Sequence, residues 1–467
     1  MKVDLKWRVF LVVAIGILIS TLDGSILNIA NPSIARDFNV EIDAVQWVVT
    51  AYLLVITSSL IFFGRLGDKR GSNRIYTWGF LIFTLGSLGC SQSFSLPMLI
   101  GTRMFQGLGA SMMMATGIGI VSNTFPAGER GKALGLTGTI VALGNMLGPS
   151  LGGFLLASFE WPIIFLINVP IGILGFYFGF KYLPIQDLNH EIKSYDIQGT
   201  ILLAITVATL ILALSDSQGM NIMLLGASGL LLFLFCRWER KTTTPLLDFQ
   251  LFQNRTFIQG NLMGVVVYCT QTSVFFLLPF YLETILGYSP ARSGLLMTTT
   301  PVIMAVTAPL AGHFSDKFGS SKMISLSLSL LTASFLLLST LKVNSSYLII
   351  GGGLVLLGIG MGMFGSPNAS SILGSIPREK AGYAGGFIAT NRNLSYSVGI
   401  SSSVLLFSWM LHKKQAVLEY STAYMQAIHT VYLVAAAIAL FASVMWIISP
   451  TKERFEQSQP LPPPASK

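Results

Sequence analysis

The sequence predicts an all-α integral membrane protein of about fourteen transmembrane helices, arranged as two six-helix halves plus two inserted helices. Three observations predict it. Of the 467 residues, 52% are apolar and only 10% charged, with a mean hydropathy of +0.68, whereas a soluble domain carries about 25% charged residues. Apolar runs of about 18 to 25 residues, each long enough to cross about 30 Å of hydrocarbon, recur along the chain. One polar motif occurs twice, Gly64-Arg-Leu-Gly-Asp68-Lys-Arg-Gly71 and Gly312-His-Phe-Ser-Asp316-Lys-Phe-Gly319.

The runs fall near 8–31, 45–64, 75–93, 97–122, 133–157, 162–183, 197–215, 220–236, 257–282, 293–311, 323–341, 347–367, 383–411 and 427–449. The first is too long for a signal-peptide core and lacks a small-residue cleavage site, so it is expected to be a true span. Basic residues in short loops stay in the cytoplasm. With both termini inside, about 22 of the 29 Lys and Arg fall there and five (Arg36, Arg292, Lys342, Lys413, Lys414) fall outside, while Arg103 and Arg392 lie within spans. A shift by one span would invert half of this asymmetry, which favours an even count in the cell membrane. The repeated motif precedes a new span each time, and paired halves around a central cavity are common in secondary transporters. The expected division is therefore residues 1–196 and 242–449 as the halves, 197–241 as an inserted helix pair, and 450–467 as a Pro-rich, disordered cytoplasmic tail.

Several other readings are excluded. The net charge of +9 is scattered between apolar runs rather than gathered into a stripe, so nucleic acid is not an expected partner. Cys90, Cys236 and Cys269 have no C-x-x-C spacing and imply neither disulfides nor a metal site. Gly148-Pro-Ser150-Leu-Gly152 formally matches a hydrolase nucleophile pattern, but no strand precedes it to form the required elbow. No phosphate-binding Gly-x-x-x-x-Gly-Lys-Ser/Thr occurs, and no cofactor is expected.

Four motifs carry chemistry. In the first span, Leu22-Asp23-Gly-Ser-Ile-Leu-Asn28-Ile-Ala30-Asn-Pro32 holds the one acid expected well inside a helix. A charged Asp at that depth costs roughly 2.5–3.5 kcal/mol, which suits a group that takes up and releases a proton or a cation; were the helix to start later, Asp23 would merely lie near the outer surface. The loop motif, with Gly64, Asp68, Arg70, Gly71 and Arg74, and its second copy, with Asp316, Lys317 and Gly319, place an acid where it can meet a helix N-terminus or a basic neighbour and latch one conformation. In the fourth span, Arg103-Met-Phe-Gln106-Gly107 requires an acid, carbonyls or water for its guanidinium, or else snorkels to the interface. In the fifth, Gly144-Asn-Met-Leu-Gly148-Pro149-Ser-Leu-Gly152-Gly153 offers small residues for close helix packing and a proline that bends the helix.

Together these motifs resemble those of the major facilitator superfamily, specifically its fourteen-span drug:proton antiporters of the QacA/EmrB type, and they cover both halves. Departures are Asn31 before the first-span proline, Phe318 at a basic position of the second loop motif, and Trp161-Pro162 where the family commonly has Trp-Arg. The resemblance implies that Asp23 and Arg103 take part in proton coupling, that the loop motifs gate, and that the fifth-span seam accompanies export. Asn28, Tyr52, Met113, Tyr268, Gln271, Phe275 and Tyr396 could line a pocket, since aromatics and methionines suit varied ligands, although ordinary packing would use the same residues. The function expected is alternating-access export of lipophilic, often cationic, small molecules, driven by the proton gradient and without a cofactor. The alternative is a dedicated exporter of one lipid, metabolite or natural product.

Overall fold

The computed structural model describes residues 4–183, 196–215, 220–242, 245–377 and 380–448. The tail at 450–467 lies outside them. In order the helices are α1 (Leu5–Asp37), α2 (Ile42–Arg70), α3 (Ser72–Ser91), α4 (Leu96–Thr124), α5 (Ala127–Ser158), α6 (Ile163–Leu166), α7 (Asn168–Tyr182), α8 (Ile197–Leu214), α9 (Ile222–Glu239), α10 (Arg255–Phe280), α11 (Pro290–Phe318), α12 (Ser320–Leu338), α13 (Tyr347–Gly374), α14 (Ala381–Gln415) and α15 (Tyr420–Ile448). No strand occurs among the described residues. Thirteen helical segments are long and apolar enough to cross a membrane, with α6 and α7 forming one of them. The 20-residue α3 falls outside that group but packs along α4 and α7 like its neighbours. Helices are the expected answer in lipid, where each must satisfy its own backbone polar groups.

Helix ends depart from the hydropathy boundaries, for identifiable reasons. The span expected at 162–183 is broken at Ile167, because Pro170 has no amide for the Leu166 carbonyl and its ring crowds it. The motif expected as a loop at 64–71 is helical as far as Arg70, so Gly64, Asp68 and Arg70 sit on the last turns of α2. Asp316 and Lys317 likewise sit on the last turn of α11. Both helices stop at a glycine with φ near +90°, Gly71 and Gly319, a conformation that only glycine adopts cheaply. The sequence repeat is thus a repeated helix stop.

Packing also repeats. Within the first part α3 lies on α4, α2 on α4 and α1 on α5; in the last part α12 lies on α13, α11 on α13 and α10 on α14. Across the two, α5 meets α11, α14 meets α2, and α1 touches α10. The hairpin α8–α9 stands beside them with α8 against α2 and α14.

The two ends of the bundle differ. At the end holding the α1 C-terminus and the α2 N-terminus, one apolar core runs through both parts, including Ile26, Val45, Trp161, Phe276, Phe335 and Tyr424. At the end holding Leu5 and Arg70 the core is divided: Val9, Tyr76, Ile120 and Phe125 belong to one cluster, and Leu251, Phe257, Ile372 and Ala384 to another. A Cβ at Gly131, Gly135 or Gly138 of α5, or at Gly385 or Gly386 of α14, would meet nothing within 4 Å. The bundle is closed at the Arg36 end and open at the Arg70 end.

Candidate functional site

Asp23 lies midway along α1 and is held by side chains from two other helices, α4 and α7. Its Oδ2 accepts from Arg103 Nη1 of α4 at 2.7 Å, and its Oδ1 accepts from Gln106 Nε2 of α4 at 2.9 Å and from Asn168 Nδ2 of α7 at 2.7 Å. Arg103 also donates from Nη1 to Gln106 Oε1 (2.6 Å) and from Nε to the Val48 carbonyl of α2 (3.1 Å). Its guanidinium carbon stands 4.0 Å from the Tyr52 ring centroid, a cation–π contact. Gln106 donates onward to Ser87 Oγ of α3 at 2.7 Å. The charges of Asp23 and Arg103 cancel, and both side chains are 1% exposed.

Each partner arrives for a local reason. Arg103 and Gln106 are three residues apart and share one face of α4. Asn168, the first residue of α7, is buried and faces α1. Arg103 does not snorkel, and Asp23 does not lie near the surface. In this conformation the carboxyl is also closed to any substrate cation, which differs from the expectation of a site shared by cation and proton. Adding a proton to Asp23 would cancel the ion pair and leave the Arg103 charge buried without its counter-charge.

Gly144 and Gly148 carry α5 onto the opposite face of α1: a Cβ at either would overlap Thr21 Oγ1 or Ser25 Oγ, and Ser25 Oγ donates to the Gly144 carbonyl at 3.0 Å. Gly152 rests on Ile26. This part of the seam lies within the first half rather than between halves. The contact between α5 and α11 is made by the next residues on the neighbouring face of α5, where a Cβ on Gly153 would come 2.5 Å from the Pro290 carbonyl and one on Gly294 would strike the Pro149 carbonyl.

At the closed end Arg36 Nη2 donates to Glu283 Oε2 at 2.9 Å, joining α1 to a π-helical turn, Tyr281–Ile285, that ends α10. At the open end Asp68, Arg70, Arg74, Asp316 and Lys317 are exposed. No ion pair joins Asp68 to Arg74 among the described residues.

Of the expected pocket residues, Tyr52 packs under Arg103, and Met113 is buried against Gly79 of α3. These two are packing residues, because α2, α3 and α4 close over them. Tyr268, Phe364 and Tyr396 form an edge-to-face group, with Tyr268 at 6.0 Å from Phe364 and 5.6 Å from Tyr396. Gln271, one turn along α10 from Tyr268, is buried with Oε1 lacking a donor among the described residues. Asn28 and Phe275 are half-buried. Sequence reasoning named Gln106 within the Arg103 motif without a role of its own and missed Asn168 and Ser87 as site residues; the signal was their polarity within apolar runs.

Comparison with known proteins agrees with this architecture. The model of the Major Facilitator Superfamily matches residues 13–400 and 260–466. The riboflavin transporter RibZ of Clostridioides difficile is 46% identical over 443 residues, 95% of this chain and 97% of that one. The tetracenomycin C resistance and export protein of Streptomyces glaucescens is 30% identical over 399 residues, 84% of this chain and 74% of that one. Among solved structures, the inward-facing, unoccupied bacterial homologue of the human lysosomal transporter Spinster superposes with a TM-score of 0.66 at 14% identity, covering 97% of this chain and all of that one; at that identity the likeness concerns the fold alone.

Proposed function

This chain belongs to the major facilitator superfamily, and we propose that within it the protein is a dedicated carrier of one flat aromatic metabolite of the flavin type, coupled to protons at Asp23. The observation that carries the substrate reading is the 46% identity to a riboflavin transporter over nearly the whole of both chains. The half-buried Tyr268 and Tyr396, backed by the buried Phe364, support it, since edge-to-face rings offer walls for a planar heterocycle, and Gln271 adds a polar group beside them. This reading displaces broad drug efflux, the expectation from motifs alone, in favour of its alternative. Export of varied compounds remains the second reading, supported by the 30% identical tetracenomycin exporter.

The transport cycle follows from the ends of the bundle. Substrate enters the divided, open end, α1 and α5 rock as one body about the Gly153–Gly294 contact, and the Arg36–Glu283 link parts as the other end opens. Placement in the cell membrane with both termini cytoplasmic, fourteen spans, and halves at 1–196 and 242–449 with an inserted pair at 197–241 belong to the same proposal, supported by the Lys/Arg asymmetry and the repeated packing. The antiporter-like seam favours export. Purified protein in liposomes with an imposed pH gradient tests the substrate: saturable flux of riboflavin, competed by flavin analogues and not by a lipophilic cation dye, is expected, and the side on which riboflavin accumulates assigns direction. Dye flux without riboflavin flux would overturn this reading in favour of broad efflux.

A further inference from the structure

Away from the Asp23 centre, a pair of acids is buried where three parts of the fold meet. Asp196 caps the start of α8, its Oδ1 accepting from the Gly199 amide at 2.8 Å and from the Trp238 indole at 2.8 Å. Glu239, the last residue of α9, accepts the Leu247 amide at Oε2, 2.9 Å away. The two residues are 6% and 1% exposed. Their remaining oxygens, Asp196 Oδ2 and Glu239 Oε1, receive no donor from any described residue. Both crowd the same spot above Gly199, where a Cβ would overlap the two at once. The orphaned oxygens therefore face each other.

Two carboxylates cannot both stay ionised in such a place, because like charges at contact in a poorly solvated site force one to hold a proton and donate it to the other. We propose that Asp196 and Glu239 form a one-proton site, with the proton held between Asp196 Oδ2 and Glu239 Oε1. Asp196 is the ionised member: burial pushes its carboxyl up, but the Trp238 indole, the Gly199 amide and the Glu239 carboxyl outweigh that and hold it below its ordinary value.

The proton ties the α8–α9 hairpin to both halves. Residues 245–248 cross the pair as a strap. The Pro245 carbonyl accepts from Arg65 of α2 at 2.7 Å, the Leu246 carbonyl accepts from Tyr383 of α14 at 2.9 Å, and the Asp248 amide donates to the same Tyr383 hydroxyl at 2.8 Å. The titratable and charged groups around the pair are thus Arg65, Tyr383, Asp248 and Lys380, the last two paired at 2.6 Å. Because α2 and α14 must move relative to each other when the open end closes, loss of the proton, which sets two negative charges face to face, would release Glu239 and its end of the strap. The site is separate from Asp23 and needs no substrate to operate.

Infrared difference spectra of the purified full-length protein test it. At neutral pH, wild type minus Glu239→Gln should show one protonated-carboxyl band, and the band should persist in an Asp23→Asn background. Asp196→Asn, which removes the like charge, should make that band titrate at lower pH. Both substitutions keep the hydrogen-bonding shape of the residues they replace, and if Glu239→Gln fails to fold, the Asp196→Asn titration decides alone. No band lost with Glu239→Gln, or a titration that Asp196→Asn leaves in place, would overturn the proposal.

Discussion

Arg103 on α4 and Asp23 on α1, 80 residues apart in sequence, meet as a 2.7 Å ion pair with both side chains shut away from water. A buried pair of this kind adds little net stability by itself, since desolvation cancels most of the attraction, but either charge left alone is costly. Arg103→Gln should therefore destabilise the protein by about 3–5 kcal/mol, and the double variant Asp23→Asn/Arg103→Gln should recover part of that loss. Thermal unfolding in detergent of the single and double variants reads the difference. A double variant no more stable than Arg103→Gln would mean that the pair is not the main partner of either charge.

Gly148 gives a sharper test of packing. A Cβ there overlaps Ser25 Oγ, two residues from Asp23 along α1. Gly148→Val should abolish flux while leaving protein in the membrane, because the side chain must push α5 off α1. Gly135→Ala, on the same helix but facing open space, should transport normally. Equal activity of the two well-expressed variants would show that the α1–α5 contact is not needed for the cycle.

Glu283 is 1% exposed in its side chain although Arg36, its partner, is 58% exposed, so the acid depends on that single cation for its charge. Glu283→Gln should weaken the closed end and favour the opposite conformation. A cysteine at Leu282 should then react faster with a membrane-impermeant thiol reagent added from the Arg36 side, measured against the same cysteine with Glu283 intact. Unchanged labelling would remove this link from the gate.

Orientation is open to direct test. Reporter tags at both termini and in the 237–256 segment should report the cytoplasm, whereas tags at 342–346 and 412–426 should report the outside. A C-terminus on the far side from the N-terminus would break the even span count.

Much of the fold was legible because lipid demands long apolar helices and because Asp23 and Arg103 stand out against such a background. Their shell was harder to read. Gln106 and Asn168 come to one carboxylate from α4 and α7, with Ser87 of α3 accepting from Gln106 behind them, and no local pattern encodes that convergence. Helix ends were misplaced for a simple reason: α2 continues to Arg70 because backbone hydrogen bonding does not stop where hydropathy does, and only Gly71 turns the chain. Asp196 and Glu239 sit at helix ends 43 residues apart, where a charged residue is ordinary, so only their juxtaposition exposes them.

Coupling stoichiometry follows from the closure of the Asp23 centre. Since Arg103 occupies the carboxylate and Tyr52 covers Arg103, a substrate cation cannot take the place of the proton in this conformation, and the centre carries either no net charge or one positive charge when Asp23 is protonated. A neutral planar substrate exchanged for one proton must then move one net charge per cycle. The pH gradient and the membrane potential should both drive it, the latter contributing about 2.3 kcal/mol per 100 mV. A monovalent cation carried by the same machinery would move no net charge and would respond to the pH gradient alone. Vesicles in which gradient and potential are imposed separately distinguish the two, and riboflavin flux should double its dependence, slowing when either force is removed. Asp23→Asn should abolish accumulation under both forces while allowing slow equilibration down the substrate's own gradient. Accumulation that survives in Asp23→Asn would place the transported proton on another acid, with Glu283 the first to examine, because its buried carboxyl joins the end of α10 to Arg36 of α1 at the closed end.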